Sequence, residues 1–137
     1  MIGLEDILVA ARTIYGEARG EEHGARVAVA HVIVNRWRKS MTEGTTRDST
    51  IARVCYRDKQ FSCWNANDPN FKAVQSVEIA DEIFRDCMRS ILFAIDAPTD
   101  LTEGALHYHD ESISNPWPGH QPSLLMGRLY FYNTVPL

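Results

Sequence analysis

The sequence predicts a mainly helical α+β domain with a small antiparallel β element, and three observations predict it. Apolar residues recur at helical spacing over three long stretches, about residues 4–16, 23–39 and 77–96. Two short stretches near the C-terminus, residues 105–109 and 128–132, alternate as strands do. The 137 residues, 45% hydrophobic and 23% charged, suit one globular domain with a sizeable core.

In the first helix Leu4, Ile7, Leu8, Ala11, Ile14 and Tyr15 make one apolar face. Glu5 and Asp6 lie in its first turn, where the helix dipole favours negative charge. The second helix carries Val27, Ala28, Val29, Ala30, Val32, Ile33 and Val34, which leave almost no polar side, so it is predicted to be central. Its polar end, residues 35–40, runs into a Thr- and Gly-rich loop over residues 41–49. Arg36, Arg38 and Lys39 form the one tight basic group and read as a solvated helix end. Ser49 or Thr50 is placed to cap a short helix through Ile51, Val54 and Cys55. Residues 57–71 read as a long, irregular, aromatic-bearing loop. The third long helix carries the stripe Ile79, Ile83, Phe84, Cys87, Met88, Ile91, Leu92 and Ile95, and Pro98 ends it. The two alternating segments are expected to pair antiparallel around a stretch, residues 115–122, that contains proline and glycine. With no internal repeat and no linker, residues 1–137 are expected to form a single domain.

Several functions are excluded early. The net charge is −4 and the basic residues are scattered, so no nucleic-acid partner is expected. No apolar run is long enough to span a bilayer, and no membrane insertion is expected. The first fifteen residues carry Glu5 and Asp6 where a signal peptide has basic residues, so manufacture in the cytoplasm without an export signal is expected. Cys55, Cys63 and Cys87 are odd in number and form no CxxC pair, so they read as buried thiols. There is no GxGxxG, no GxxxxGK[ST] and no Gly-x-Ser-x-Gly. No cofactor is expected.

Three groups of residues can carry chemistry. Glu17 stands at the end of an apolar helix between Gly16 and Gly20; missing side chains on both sides would let a large ligand approach it. Burial there would raise its pKa and suit it to general acid catalysis. The plainer alternative is an exposed turn glutamate paired with Arg19, and Glu21 and Glu22 read as surface charges. The loop containing Gln60, Phe61 and Trp64 offers an amide and aromatic faces, which sugar-binding clefts use, or else its aromatics anchor the loop to the core. His107 and His109 share a strand face and, with His120, have the composition of a three-histidine zinc site. Polar cleft histidines without a metal are the alternative. His31 reads as a hydrogen-bonded core histidine. Asp48, Asp58, Asp68 and Asp110 read as turn formers.

The run Tyr15-Gly16-Glu17-Ala18-Arg19-Gly20-Glu21, followed by Val27-Ala28-Val29-Ala30 and Val34-Asn35-Arg36, resembles the opening of the SleB-type cell wall hydrolases, the spore-cortex-lytic enzymes and their phage and prophage relatives. The resemblance continues through Gln60-Phe61-Ser62, Gly104-Ala105, His107-Tyr108-His109, Pro116-Trp117, Gly127 and Phe131-Tyr132, in family order over nearly the whole chain. Two departures stand out: Leu129 occupies a position where the family often has His, and residues 63–67 differ from the commoner pattern. The resemblance implies a lysozyme-like catalytic domain that cleaves the β-1,4 bond between N-acetylmuramic acid and N-acetylglucosamine in peptidoglycan glycan strands. It implies Glu17 as the catalytic glutamate and substrate contacts at Gln60, Phe61, Ser62, His107 and Tyr108, to which the aromatic loop adds Trp64. It implies neither metal nor cofactor. With one assignable carboxylate, the expected chemistry is that of a lytic transglycosylase, with 1,6-anhydromuramic products. The alternatives are a hydrolytic muramidase, a zinc-dependent peptidase or amidase built on the histidines, and a glycan-binding module using Phe61 and Trp64. A monomeric phage endolysin, acting on the wall after release from the cytoplasm, fits the size of the chain.

Overall fold

The computed structural model describes residues 1–44, 49–57 and 61–137. In chain order these form α1 (Leu4–Ala18), α2 (His23–Thr42), α3 (Ile51–Tyr56), a 3₁₀ turn (Ser62–Trp64), α4 (Phe71–Ser76), α5 (Glu82–Asp96), β1 (His107–Asp110), β2 (Leu124–Met126) and β3 (Leu129–Tyr132). The three strands make one antiparallel sheet in the order β1-β3-β2, with Tyr108 opposite Phe131 and His109 opposite Tyr130. The predicted class, mainly helical with a small antiparallel element, is the observed one.

Helix α2 is central. Ala25, Ala28, Val29, Ala30, Val32, Ile33 and Val34 are each 0% exposed, because α1 and α5 pack against α2 and against each other. All three cysteines are buried thiols. Among the described residues, no helix is long and apolar enough to cross a membrane.

The differences from expectation have local causes. Helix α1 continues to Ala18, so Glu17 lies in its last turn rather than beyond it. Thr50, not Ser49, caps α3, accepting from Arg53 N at 3.1 Å. The third long helix begins at Glu82, not at residue 77. Asp81 accepts from Ile83 N and Phe84 N, and this N-cap outweighs the apolar residues before it, leaving Ile79 63% exposed. Val77 instead ends α4, a six-residue helix too short to show a period. Arg12 ties α4 to α1 by donating to Val74 O and Val77 O, each at 2.9 Å. Strand β2, three residues long, escaped the sequence pattern for the same reason.

Polar contacts tie the segment leading into the sheet to α2, and Leu129 and Phe131 of β3 join the apolar core. Asn35 Nδ2 donates to Ala105 O at 3.0 Å and to Asp100 Oδ2 at 2.8 Å, and Asp100 also accepts from Thr102 N and Gly104 N. His31 is buried as expected, with Nδ1 3.5 Å from Asp100 Oδ1 and its ring edge-on to Phe93.

Candidate active site

Glu17, in α1, is reached by two other elements. Tyr108, on β1, donates its hydroxyl to Glu17 Oε1 at 2.6 Å, and the Cys63 backbone N–H, in the 3₁₀ turn, donates to Oε2 at 3.4 Å. Arg19 does not pair with Glu17; it donates to Asn70 Oδ1 at 2.8 Å and lies over the Tyr15 ring. Burial raises the Glu17 pKa above the usual carboxylate value. The hydrogen bonds from Tyr108 and Cys63 oppose that rise, and the charge of Asp68 adds to it. The net direction is upward, as a general acid requires.

Gly16 does not serve the purpose expected of it. It is buried, and a Cβ there would lie 2.5 Å from Cys63 Cβ and 2.5 Å from Val74 Cγ2. The missing side chain admits the 3₁₀ turn and α4, not a ligand, and so brings Cys63 N–H to the carboxylate. Gly20 has only an ordinary 3.9 Å contact, with Arg128.

The cleft at Glu17 measures about 230 Å³ and is lined by Arg36, Phe61, Tyr108, His109, Asp110, Ile113 and Leu129. Two of these residues call for corrections. Arg36 is not part of a solvated helix end: it is 5% exposed, donates Nε–H to Leu106 O at 2.7 Å and stands 5.8 Å over the Phe61 ring. Its position was legible, because it falls four residues after Val32 and three after Ile33, on the buried stripe of α2. Asp110 does form a turn, accepting from Ser112 N at 2.8 Å, but it also faces the cleft. Asp68 is a turn former as expected, accepting from Asn70 N at 2.8 Å.

The remaining predicted contacts separate. Phe61 is 3% exposed and forms a wall of the cleft. Ser62 is exposed and does not line it. Trp64 donates Nε1–H to Thr13 Oγ1 at 2.8 Å and packs edge-on to Tyr56, which is the anchoring role. Gln60, Asp48 and Asp58 lie outside the described residues.

The histidines do not form the zinc site. Arg36 NH2 lies 3.2 Å from His107 Nδ1, and His107 Nε2 lies 2.8 Å from Pro136 O. Arginine only donates and a carbonyl only accepts, so His107 is neutral with its proton on Nε2. Burial holds its pKa below the usual imidazole value. Both His109 nitrogens are likewise engaged, by Asp110 O and Tyr132 Oη at 2.8 Å each, while His120 Nδ1 contacts Thr134 Oγ1. Among the described residues, no group of three or more His, Cys, Asp or Glu is placed to hold a metal.

Glu21 is also not a free surface charge, although Glu22 is exposed. Its side chain is 8% exposed and accepts from Arg128 N at 2.8 Å and Arg128 Nε at 3.1 Å. Gly127, with φ 59°, turns the chain between β2 and β3, and a Cβ there would collide with Glu21 Oε1. Glu21 therefore clamps the β2–β3 hairpin to the corner between α1 and α2.

The profile of the cell wall hydrolase family matches residues 20–132. This chain belongs to the cell wall hydrolase family. It is 25% identical over 119 residues to the spore cortex-lytic enzyme of Bacillus subtilis (strain 168), covering 87% of this chain and 34% of that protein. The chain thus spans about a third of the length of that curated relative. The fold matches the catalytic domain of the Bacillus cereus SleB protein with a TM-score of 0.73 at 24% identity, covering 96% of this chain and 92% of that one. It also matches the catalytic domain of the germination-specific lytic transglycosylase SleB from Bacillus anthracis, with a TM-score of 0.68 at 25% identity, covering 95% of each chain. The family match begins three residues after Glu17, so in this cell wall hydrolase the candidacy of Glu17 rests on its geometry.

Proposed function

We propose that this cell wall hydrolase cleaves peptidoglycan glycan strands at the β-1,4 bond between N-acetylmuramic acid and N-acetylglucosamine, as a lytic transglycosylase with Glu17 as its acid. The observation that carries this reading is a carboxyl group whose pKa is raised by burial and which still opens onto a cleft. The lytic transglycosylase named in the Bacillus anthracis relative supports the reaction class. The cleft continues past Arg36, Tyr108 and His109 into a space walled by Pro116 and Trp117, which gives a strand room on one side of the acid.

In the proposed reaction, Glu17 protonates the glycosidic oxygen and the bond from muramic C1 to that oxygen breaks. The muramic N-acetyl oxygen closes on C1. Glu17, now a carboxylate, takes the proton of the muramic C6 hydroxyl; O6 attacks C1 and expels the acetamido oxygen. The enzyme is restored, and the product ends in 1,6-anhydro-N-acetylmuramic acid.

A second reading, hydrolysis, has one observation in its favour: Asp110 shares the cleft and its carboxyl is held below the usual value by hydrogen bonds from Ser112. A paired acid and carboxylate is the usual hydrolytic equipment. Mass spectrometry of digested peptidoglycan separates the two. Anhydro ends, one water lighter, are expected; reducing muramic ends that take up labelled solvent oxygen would establish the muramidase. Glu17→Gln, which keeps shape but removes the proton, is expected to lose at least about 100-fold in wall lysis. Near-normal lysis by folded Glu17→Gln would remove Glu17 from the mechanism.

A further inference from the structure

We propose that the Tyr108 hydroxyl is a positioning group for Glu17: it fixes which carboxyl oxygen carries the catalytic proton and sets the upper pH limit at which the acid is loaded. This role rests on Glu17 being the acid of the proposed glycosidase, and it differs from the substrate contact that the family resemblance implies for Tyr108.

The geometry is asymmetric. Oε1 accepts a 2.6 Å bond from Tyr108, in the range of charge-assisted O–H···O bonds, whereas Oε2 accepts a longer 3.4 Å contact from Cys63 N–H, and the Cys63 thiol also acts on the carboxyl group. An oxygen already accepting a short bond is the poorer site for a proton, so the proton resides on Oε2. Tyr108 can donate to Oε1 whether or not Oε2 is protonated. The plane of the carboxyl group then stays fixed through the cycle. The oxygen that gives its proton to the leaving group is the one that later takes the proton of the C6 hydroxyl.

Tyr108 is suited to this. Its phenol is buried and lies beside the Glu17 charge, and both hold its own pKa well above the usual value, so it remains a donor throughout the working range. The ring is held between Phe61 and Phe131, with centroids at 6.5 Å and 5.4 Å. Other groups also act on Glu17: the Cys63 thiol, kept protonated by burial; the Asp68 carboxylate; and, across the cleft, Arg36 and Asp110. Replacing Tyr108 by Phe leaves all of these in place and removes one donor to the anion.

Two measurements test the role. Loss of a bond that favours the carboxylate must move Glu17 ionisation, and with it the basic limb of the kcat/KM profile, to higher pH. Tyr108→Phe is expected to show that shift, with kcat down roughly tenfold and KM within about twofold, because the carboxyl is no longer held in plane. A structural role alone would lower activity without moving the limb. Carbon-13 NMR titration of the Glu17 carboxyl carbon in wild type and Tyr108→Phe reads the same ionisation without any turnover. An unshifted Glu17 titration overturns the proposal. A titration shifted by Tyr108→Phe, with a wild-type protein that fails to cut glycan, leaves the hold of Tyr108 on Glu17 ionisation standing and overturns the glycosidase reading on which its catalytic meaning rests. Should Tyr108→Phe fail to fold, 3,5-difluorotyrosine at position 108, a more acidic donor of nearly equal volume, is expected to move the titration to lower pH; no movement there is equally fatal.

Discussion

The helices meet one another through apolar side chains, whereas the join between helices and sheet adds a set of hydrogen bonds to the shared apolar core, and the candidate site lies on that seam. Helices α1, α2 and α5 meet through side chains such as Ile14, Val29, Ile33 and Ile91, all fully buried. The sheet shares that core through Leu129 and Phe131 of β3, and the segments flanking its strands add hydrogen bonds: Asn35 to Ala105, Arg36 to Leu106, and Glu21 with Arg128. Glu17 belongs to the first region and its partner Tyr108 to the second. Apolar burial scales with area and tolerates small shifts, whereas a hydrogen bond weakens steeply with distance and angle. Damage to the helical core should therefore appear first as lost stability, and damage to the seam first as lost activity.

Gly16 offers the largest way to break that contrast, because it lies in the helical region yet shapes the site. Gly16→Ala would gain about 1 kcal/mol of helix propensity. Against this, its Cβ would sit 2.5 Å from both Cys63 and Val74, and overpacking of a tight core costs about 1–3 kcal/mol. Net destabilisation by urea unfolding is expected, together with a loss of wall lysis out of proportion to it, because Cys63 N–H is pushed off Glu17. A variant as stable and active as wild type would show that the packing around Gly16 is loose.

The contrast also explains what could be read from the sequence. The apolar periods gave α1, α2 and most of α5, because burial writes itself into spacing. Glu17 was singled out through its motif. The seam was not, since a hydrogen bond between Glu21 and Arg128 joins residues 107 positions apart and leaves no local pattern. Hence Glu21 and Arg36 read as solvated charges. His107, His109 and His120 read as a possible metal trio, because spacing cannot tell that Arg36, Pro136 and Tyr132 occupy ring nitrogens of the first two.

Glu21 tests the seam with a smaller effect. Glu21→Gln keeps one acceptor oxygen for Arg128 N but removes the ion pair with the guanidinium, which is largely exposed. Exposed pairs contribute little, so the melting temperature is expected to fall by only a few degrees. Lysis should fall by a larger fraction than the folded population, since the hairpin carries β3, the strand that pairs with Tyr108. Equal losses in both would mean that the clamp does not help to position β1. Glu21→Ala, which removes both contacts, should widen the gap.

The smallest expected effect is a pH dependence of stability at the contact between His107 and the C-terminal segment. Burial lowers the pKa of both His31 and His107, and Arg38 and Arg36 respectively push the same way. Unfolded imidazoles charge near pH ~6.5. As pH falls through that value the unfolded chain takes up protons that the folded histidines refuse, so stability falls until the folded values are reached. Glu17 acts oppositely: its raised pKa lets the folded protein take up a proton the unfolded chain does not, which adds stability as pH falls. The carboxylates with lowered pKa, Asp81, Asp86, Asp100 and Asp110, act only at lower pH, near and below the usual Asp value. Thermal unfolding of Glu17→Gln between about pH 7 and pH 5 therefore isolates the histidines. A decline in melting temperature is expected there, and adding His107→Gln should shrink it. Glutamine has an oxygen to accept from Arg36 and an amide to donate to Pro136 O, yet it cannot take up a proton. Identical declines with and without His107 would show that this contact does not sense pH and would leave the decline to His31.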